Sequence, residues 1–253
     1  MTLHFGIHLR EWRQARRLSQ LGLAGEAGIS ARHLSFLESG RSRPTEGMII
    51  RLGEALELPA RAQNELFAAA GYAPRFANGG SGIGDLPAGP QAVLKLILER
   101  HSPWPAGVFN ADYDLIGGNE AFLGMAASVG ISPGDNLLRA VAGSRQLREA
   151  VSNWEEFSTH FLRRARAEAG YYGPNSRLAR LVAELAGNPE IAALQANANG
   201  ERYPPPVLEI AFNVGGAASR WITTVTTLGM VQEALTEGIF IEQFFPADEA
   251  TEA

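Results

Sequence analysis

The sequence predicts an all-α head of five short helices followed by an α+β domain built on an antiparallel sheet. Three observations carry this. Up to Gly71, apolar residues recur at helical spacing between cap and stop signals. From Asn78 to Pro90 the composition shifts to NGGSGIGDLPAGP, which has neither periodicity nor apolar mass. In the last third, three runs rich in β-branched and aromatic residues (207–212, 221–227 and 239–245) replace the helical period. The expected partition is residues 1–77, a flexible linker at 78–90, and residues 91–253.

The first helix, about Phe5 to Arg17, places Phe5, Leu9 and Trp12 on one face, with Arg10, Arg16 and Arg17 outside it or at its end. Two shorter helices follow. Ser19 can accept from the free N–H groups that open a helix, and Gly28 can take the left-handed conformation that closes it; Ser30 then caps the next. Leu23, Ala24 and Ala27 face Leu34 and Leu37 across a seam, Ile29 fills the corner, and the small Ala24 lets the axes approach.

The second of these helices turns Ala31, Arg32, Ser35 and Phe36 away from the seam, and a helix of this width fits the major groove of DNA. Arg32 can donate a bidentate pair to guanine N7 and O6, giving about 1–3 kcal/mol of discrimination, and Ala31 or Phe36 can touch a thymine methyl. Ser30 and His33 complete this candidate surface. Gln20 at the start of the preceding helix, with Arg41, Ser42 and Arg43 beyond Gly40, is placed to grip phosphates, which sets register and not base preference. Double-stranded DNA is the expected partner.

Through Ser19-Gln20, Leu23-Ala24, Ala27-Gly28-Ile29-Ser30, Leu34, Leu37-Glu38, Gly40 and Pro44, this segment resembles the helix-turn-helix domain of the XRE and phage-repressor class. The resemblance implies a pair between an arginine of the first helix and the glutamate that ends the reading helix, here Arg13 and Glu38. A fourth helix carries Met48, Ile49, Leu52 and Leu56, and a fifth carries Leu66, Phe67 and Ala70 up to Gly71. The run PTEGMIIRLGEALELPARAQNELFAAAGYAP narrows the resemblance to the MmyB-like regulators. Gly47 and Gly53 stand where helix formers are expected, each costing up to about 1 kcal/mol relative to alanine.

The net charge of -5 divides unevenly. Residues 1–78 hold ten Arg against seven Glu, net +3, and the remainder twelve Lys plus Arg against twenty Asp plus Glu, net -8. A basic head on an acidic body directs the head toward DNA. The absence of cysteine excludes disulfides, thiolate metal sites and cysteine nucleophiles. Met1 leads into Thr2-Leu3-His4-Phe5 without a charged or apolar leader, and no apolar run reaches about 18 residues. A soluble, cytoplasmic protein without membrane association is expected.

In the second domain, Gln91 to His101 reads as a helix, and Ala106 to Asn110 and Tyr113 to Gly117 as strands about a turn at Ala111-Asp112, before a helix from Asn119. The stretch NWEEFSTHFLRRARAEAG is an amphipathic helix with Trp154, Phe157, Phe161 and Leu162 on one side. Two early and three late strands with helices between them give an antiparallel sheet with helices on one face. PWPAGVFNADYDLIGGNEAF, NWEEF and WITTVTTLGMVQEALTEGIFIEQFFPADEAT resemble the PAS-like ligand-binding domain of MmyB-like regulators. That resemblance implies a small apolar ligand such as a fatty acid. It departs at Gly117-Gly118, where the family often has a tryptophan before the asparagine matching Asn119, which implies a larger or differently shaped pocket. Phe109, Ile116, Phe122, Leu138, Trp154, Phe161, Phe212 and Trp221 are the candidate lining, with Asn119 or Arg139 to anchor a polar head.

Enzymatic signatures are missing: there is no GxSxG, no HExxH and no phosphate-cradling loop. Gly80 to Gly84 has no strand before it and Asp85 in place of the last glycine of GxGxxG. His160 lies four residues after Glu156, a spacing typical of surface ion pairing. No catalytic residue, metal or cofactor is expected. The reading is a ligand-responsive DNA-binding regulator acting as a homodimer; the alternatives are a second domain that only dimerises or binds a protein, and an enzyme with an unrecognised site.

Overall fold

The computed structural model describes residues 2–73, 75, 82–189, 191–192, 208–214, 216–228 and 238–252. The chain forms two compact units, the first built on residues 1–78 together with 169–179. The second is built on residues 79–168, 180–228 and 238–253.

Five helices make the first unit's core: α1 (Thr2–Ala15), α2 (Gln20–Glu26), α3 (Ala31–Glu38), α4 (Glu46–Ala55) and α5 (Ala60–Ala70). Their limits follow local chemistry. Ser19 Oγ accepts from the Gly22 N–H at 3.0 Å and Ser30 Oγ from the His33 N–H at 3.1 Å, while Gly28 at φ +64° turns the chain between α2 and α3. Helix α1 ends earlier than expected, and Arg17 beyond it adopts φ +57°. Phe5, Leu9, Trp12, Leu23, Leu34, Leu37, Ile49, Leu52 and Leu66 close one core. The tight place at Gly53 has a cause: a Cβ there would stand 2.9 Å from Gln63 Cδ, so α4 and α5 approach through a missing side chain. Nothing around Gly47 explains its glycine.

The expected tether is partly structured. A short turn at Ile83–Asp85 precedes buried Leu86, and α6 (Ala88–His101) starts three residues before the expected Gln91. Ile83 and Leu86 are apolar mass enough to dock, which the glycine-rich surroundings disguise.

The second unit is organised by five antiparallel strands, β1 (Ala106–Phe109), β2 (Leu115–Gly118), β3 (Leu208–Val214), β4 (Ala217–Thr227) and β5 (Phe240–Pro246), in the order β2-β1-β5-β4-β3. This is the α+β, PAS-like sheet class that the sequence predicts. Helices cover both faces, however, and not one. Val108, Ile116, Ile239 and Ile241 pack with Leu94 and Leu98 of α6, whereas Phe109, Phe240 and Phe244 alternate onto the opposite face. That second face receives α7 (Glu120–Ser128), α8 (Leu137–Gly143), α9 (Arg145–Ala150) and the first turns of α10 (Trp154–Tyr172). Along the chain α11 (Arg177–Ala186) and α12 (Glu249–Glu252) come later.

Two asparagines pin helices to the sheet. Asn119 caps α7, its Oδ1 accepting from Phe122 and Ala106 N–H groups, each at 3.0 Å. Asn153, from the NWEEF stretch, accepts from the Ala211 N–H at 3.0 Å and donates to Glu209 O at 2.8 Å, fixing the start of α10 against β3.

Candidate functional sites

On the first unit, the seam buries Leu34 and Leu37 of α3 and leaves Arg32 exposed. The Arg32 guanidinium lies 5.4 Å from the ring centroid of Phe36, one turn along, so the two form a stacked pair on one helical face. Ser35 and Phe36 are partly exposed beside it, whereas Ala31 packs against the core. Ser30 acts through its capping bond. His33 points toward α4, its Nε2 standing 3.2 Å from Met48 Sδ.

The expected phosphate grip is altered. Gln20 donates its amide to Glu38 Oε2 at 2.8 Å. Arg43 stacks 5.6 Å from the Tyr72 ring centroid and donates to Ala70 O at 3.4 Å. Arg41 is exposed, and its N–H and that of Ser42 both bond to Phe36 O, folding the loop back on α3. Arg41 is thus the freer cation of the loop.

Glu38 anchors this geometry. Arg13 Nε and Nη2 reach its two oxygens at 2.6 and 3.0 Å, forming the bidentate pair that the resemblance implies, and Arg10 adds a contact at 3.5 Å. Burial works against the Glu38 charge, but hydrogen bonds from Arg13 and Gln20, with the charges of Arg13 and Arg10, hold its carboxyl below the usual range.

On the second unit, a cavity of about 50 Å³ lies between the sheet and helices α7 to α10. Phe109, Phe122 and Phe212 line it, as expected. Met125, Val129, Leu147, Phe157, Ile210 and Phe244 join them, and so does Glu242. Every lining residue except Glu242 is apolar. The missing side chains of Gly107 and Gly118 make room for one wall: a Cβ would stand 2.5 Å from Phe122 Cζ at the first and 3.0 Å from Phe122 Cδ1 at the second. The phenyl ring therefore occupies the space left at Gly118, whereas Ile83 takes the space left at Gly117.

The other expected lining residues go elsewhere, for identifiable reasons. Ile116 sits at a bulge in the β1–β2 register and faces α6. Leu138 is buried, but the lining position on α8 is its neighbour Leu137, about 100° round the helix. Trp154 borders a separate hollow of about 300 Å³ with Arg145 and Arg148. Phe161 stands one turn beyond Phe157 and packs edge-on to Tyr113 at 5.1 Å. Trp221 touches Phe244 from the side, at 6.4 Å, and its indole donates to Ser219 Oγ.

Neither expected anchor reaches the cavity. Asn119 is engaged by backbone on both ends of its amide, its Nδ2 donating to Trp104 O at 2.7 Å. Arg139 makes a bidentate pair with Glu184 at 2.8 Å on an exposed surface. Sequence reasoning missed Glu242, although period two in the run 239–245 places it between Phe240 and Phe244 on one face.

A larger hollow, about 620 Å³, lies over α6 and is lined by Lys95, Glu99, Asn119 and Glu120 among others. Charged side chains stand at this hollow together with the apolar Ile83, Ala88, Ala92 and Leu98. Among the described residues no cluster of His, Asp and Glu has the arrangement of a metal site, and no helix is long and apolar enough to cross a membrane.

The chain matches two families. Residues 4–66 match a helix-turn-helix domain, and residues 90–253 match the MmyB-like transcription regulator ligand binding domain. No curated protein matches it. The first match accords with the capped α2–α3 pair and its exposed Arg32 face, the second with the sheet and its apolar cavity. The chain belongs to the MmyB-like transcription regulators, with a helix-turn-helix DNA-binding domain followed by a ligand-binding domain.

Proposed function

We propose that this regulator works as a two-fold dimer whose affinity for DNA is set by an apolar small molecule, such as a fatty acid, taken into the cavity between the sheet and α7 to α10. The observation that carries this reading is the cavity wall, apolar at every lining residue but one. At about 50 Å³ the cavity is a third of the roughly 150 Å³ that accepts benzene in an engineered core. A longer guest must part Phe109, Phe122 and Phe157 to enter. The occupied and closed packings then differ, and that difference is what a ligand needs in order to shift an equilibrium.

On DNA, Arg32 with Phe36 reads bases in the major groove, and Arg41 and Ser42 position the head on phosphates. Paired heads require half-sites about one helical turn (34–36 Å) apart, or multiples of it.

Mass spectrometry of the purified protein, first native and then denaturing, tests the ligand. A small molecule that copurifies and is released on unfolding supports the reading, as does a rise in Tm with added fatty acid. Bare protein whose Tm ignores fatty acids of every chain length points instead to a second domain that only dimerises or binds a protein. Footprinting tests the pairing: a single unpaired site is incompatible with it.

A further inference from the structure

The cavity has one polar feature, and it is placed with care. Glu242 lies in the middle of β5, is 5% exposed, and shares its face with Phe240 and Phe244. Its neighbours across the sheet, Gly107 on β1 and Val225 on β4, bring no polar side chain. The walls supplied by α7, α8 and α9 are apolar.

Charge comes from one side only. Arg164 and Glu168 on α10 act on Glu242, and Tyr113, ahead of β2, feels its charge in turn. Those three groups already satisfy one another: Arg164 Nε donates to Glu168 Oε1 at 2.8 Å and Tyr113 donates its hydroxyl to Glu168 Oε2 at 2.9 Å. The Arg164 guanidinium also lies 4.7 Å from the Phe240 ring centroid. The group is close to neutral and internally bonded. Burial pushes the Glu242 carboxyl above its usual range, with Arg164 opposing and Glu168 reinforcing. A protonated carboxyl in a dry pocket presents an O–H that seeks an acceptor.

We infer that Glu242 is the specificity determinant of this pocket, donating from its protonated carboxyl to the carboxylate head of an apolar-chain ligand. The inference rests on the reading of the cavity as a ligand site, and it names what that site selects. The pocket prefers an acid to an amine of the same chain, because an ammonium has only donors to offer a donor. Binding an anion beside a carboxyl that must keep its proton also couples affinity to pH. Once free Glu242 ionises, each ligand bound takes up one proton, and affinity falls tenfold per further pH unit.

Calorimetric titration of the intact protein with dodecanoate, dodecanol and dodecylamine, below their micellar concentrations, tests this in wild type, Glu242→Gln and Glu242→Leu. Glu242→Gln keeps an N–H donor of the same shape, so dodecanoate should bind with an affinity that no longer falls as pH rises. Glu242→Leu should lose about tenfold to a hundredfold for dodecanoate, the effect of removing a hydrogen bond to a charged head, and little for dodecanol. Dodecanoate binding all three proteins with one affinity and one pH profile overturns the role of Glu242 while leaving the cavity a ligand site. Preference of wild type for dodecylamine overturns it too. No binding of any probe to any of the three proteins overturns the cavity reading itself, and this assignment with it.

Discussion

Glu38 in the helix-turn-helix unit and Glu242 in the ligand-binding unit are both buried, 2% and 5% exposed, yet their surroundings push them in opposite directions. Glu38 receives Arg13, Gln20 and Arg10 and remains charged. Glu242 sits among aromatic rings, and burial favours its neutral form. One carboxylate orders a scaffold because its partners come from the same fold. The other has its nearest cation engaged by Glu168 and faces a cavity. Buried charge by itself therefore says little about role; the partners decide it.

The two carboxylates differ most where a partner is removed. Arg13→Ala strands a buried carboxylate and should cost about 3–5 kcal/mol, read by denaturant unfolding. Phe122→Ala should cost a similar 3–5 kcal/mol through cavity formation, but should also widen the pocket enough to bind an indole- or benzene-sized probe that wild type excludes. If Arg13→Ala were as mild as a surface change, the contrast between the two glutamates would lose its basis.

Acid sharpens it. The Glu38 pKa is lowered on folding, so its contribution is present above the unfolded carboxylate range and is lost as pH falls through the lowered value. The Glu242 pKa is raised, so its burial costs stability as pH climbs from that range through the raised value, and acid relieves the cost. Each slope is at most about 1.4 kcal/mol per pH unit. Hydrogen exchange of the intact protein should show α3 amides losing protection toward acid more steeply in wild type than in Glu38→Gln. Protection of β5 should fall toward higher pH in wild type but not in Glu242→Gln. Parallel profiles for the two pairs would refute the opposition.

Smaller effects test the DNA surface. Arg32→Ala should remove about 1–3 kcal/mol of discrimination at one base position per half-site, and Phe36→Ala should loosen the same position by freeing the guanidinium. Arg41→Ala should weaken all sequences alike and reduce the salt slope by about one. Arg43 is a poorer probe, since its stacking on Tyr72 mixes folding into the readout. The smallest change is Gly47→Ala, which should stabilise α4 by about 0.5–1 kcal/mol, as open space surrounds it; Gly53→Ala should gain less, because Gln63 must give way.

Much of the first unit was legible in order along the chain. Capping serines, a left-handed glycine and apolar residues at helical spacing act within a few residues of themselves, so Ser19, Gly28 and Ser30 alone mark where α2 begins and ends and where α3 begins. The antiparallel strands were legible for the same reason. The cavity was not. Phe109, Phe122 and Phe212 look no different in sequence from Phe161 or Trp221, and only their meeting across sheet and helices separates lining from packing. A one-residue bulge turned Ile116 to the other face, and hydrogen bonds to backbone and to Glu184 hold Asn119 and Arg139 outside the cavity. Local chemistry thus determined the elements, and the ends that carry a cap, from the sequence alone. The tertiary structure decided which side chains share a cavity, and that one carboxyl among them is Glu242, because burial and partners arise only when distant segments close on each other.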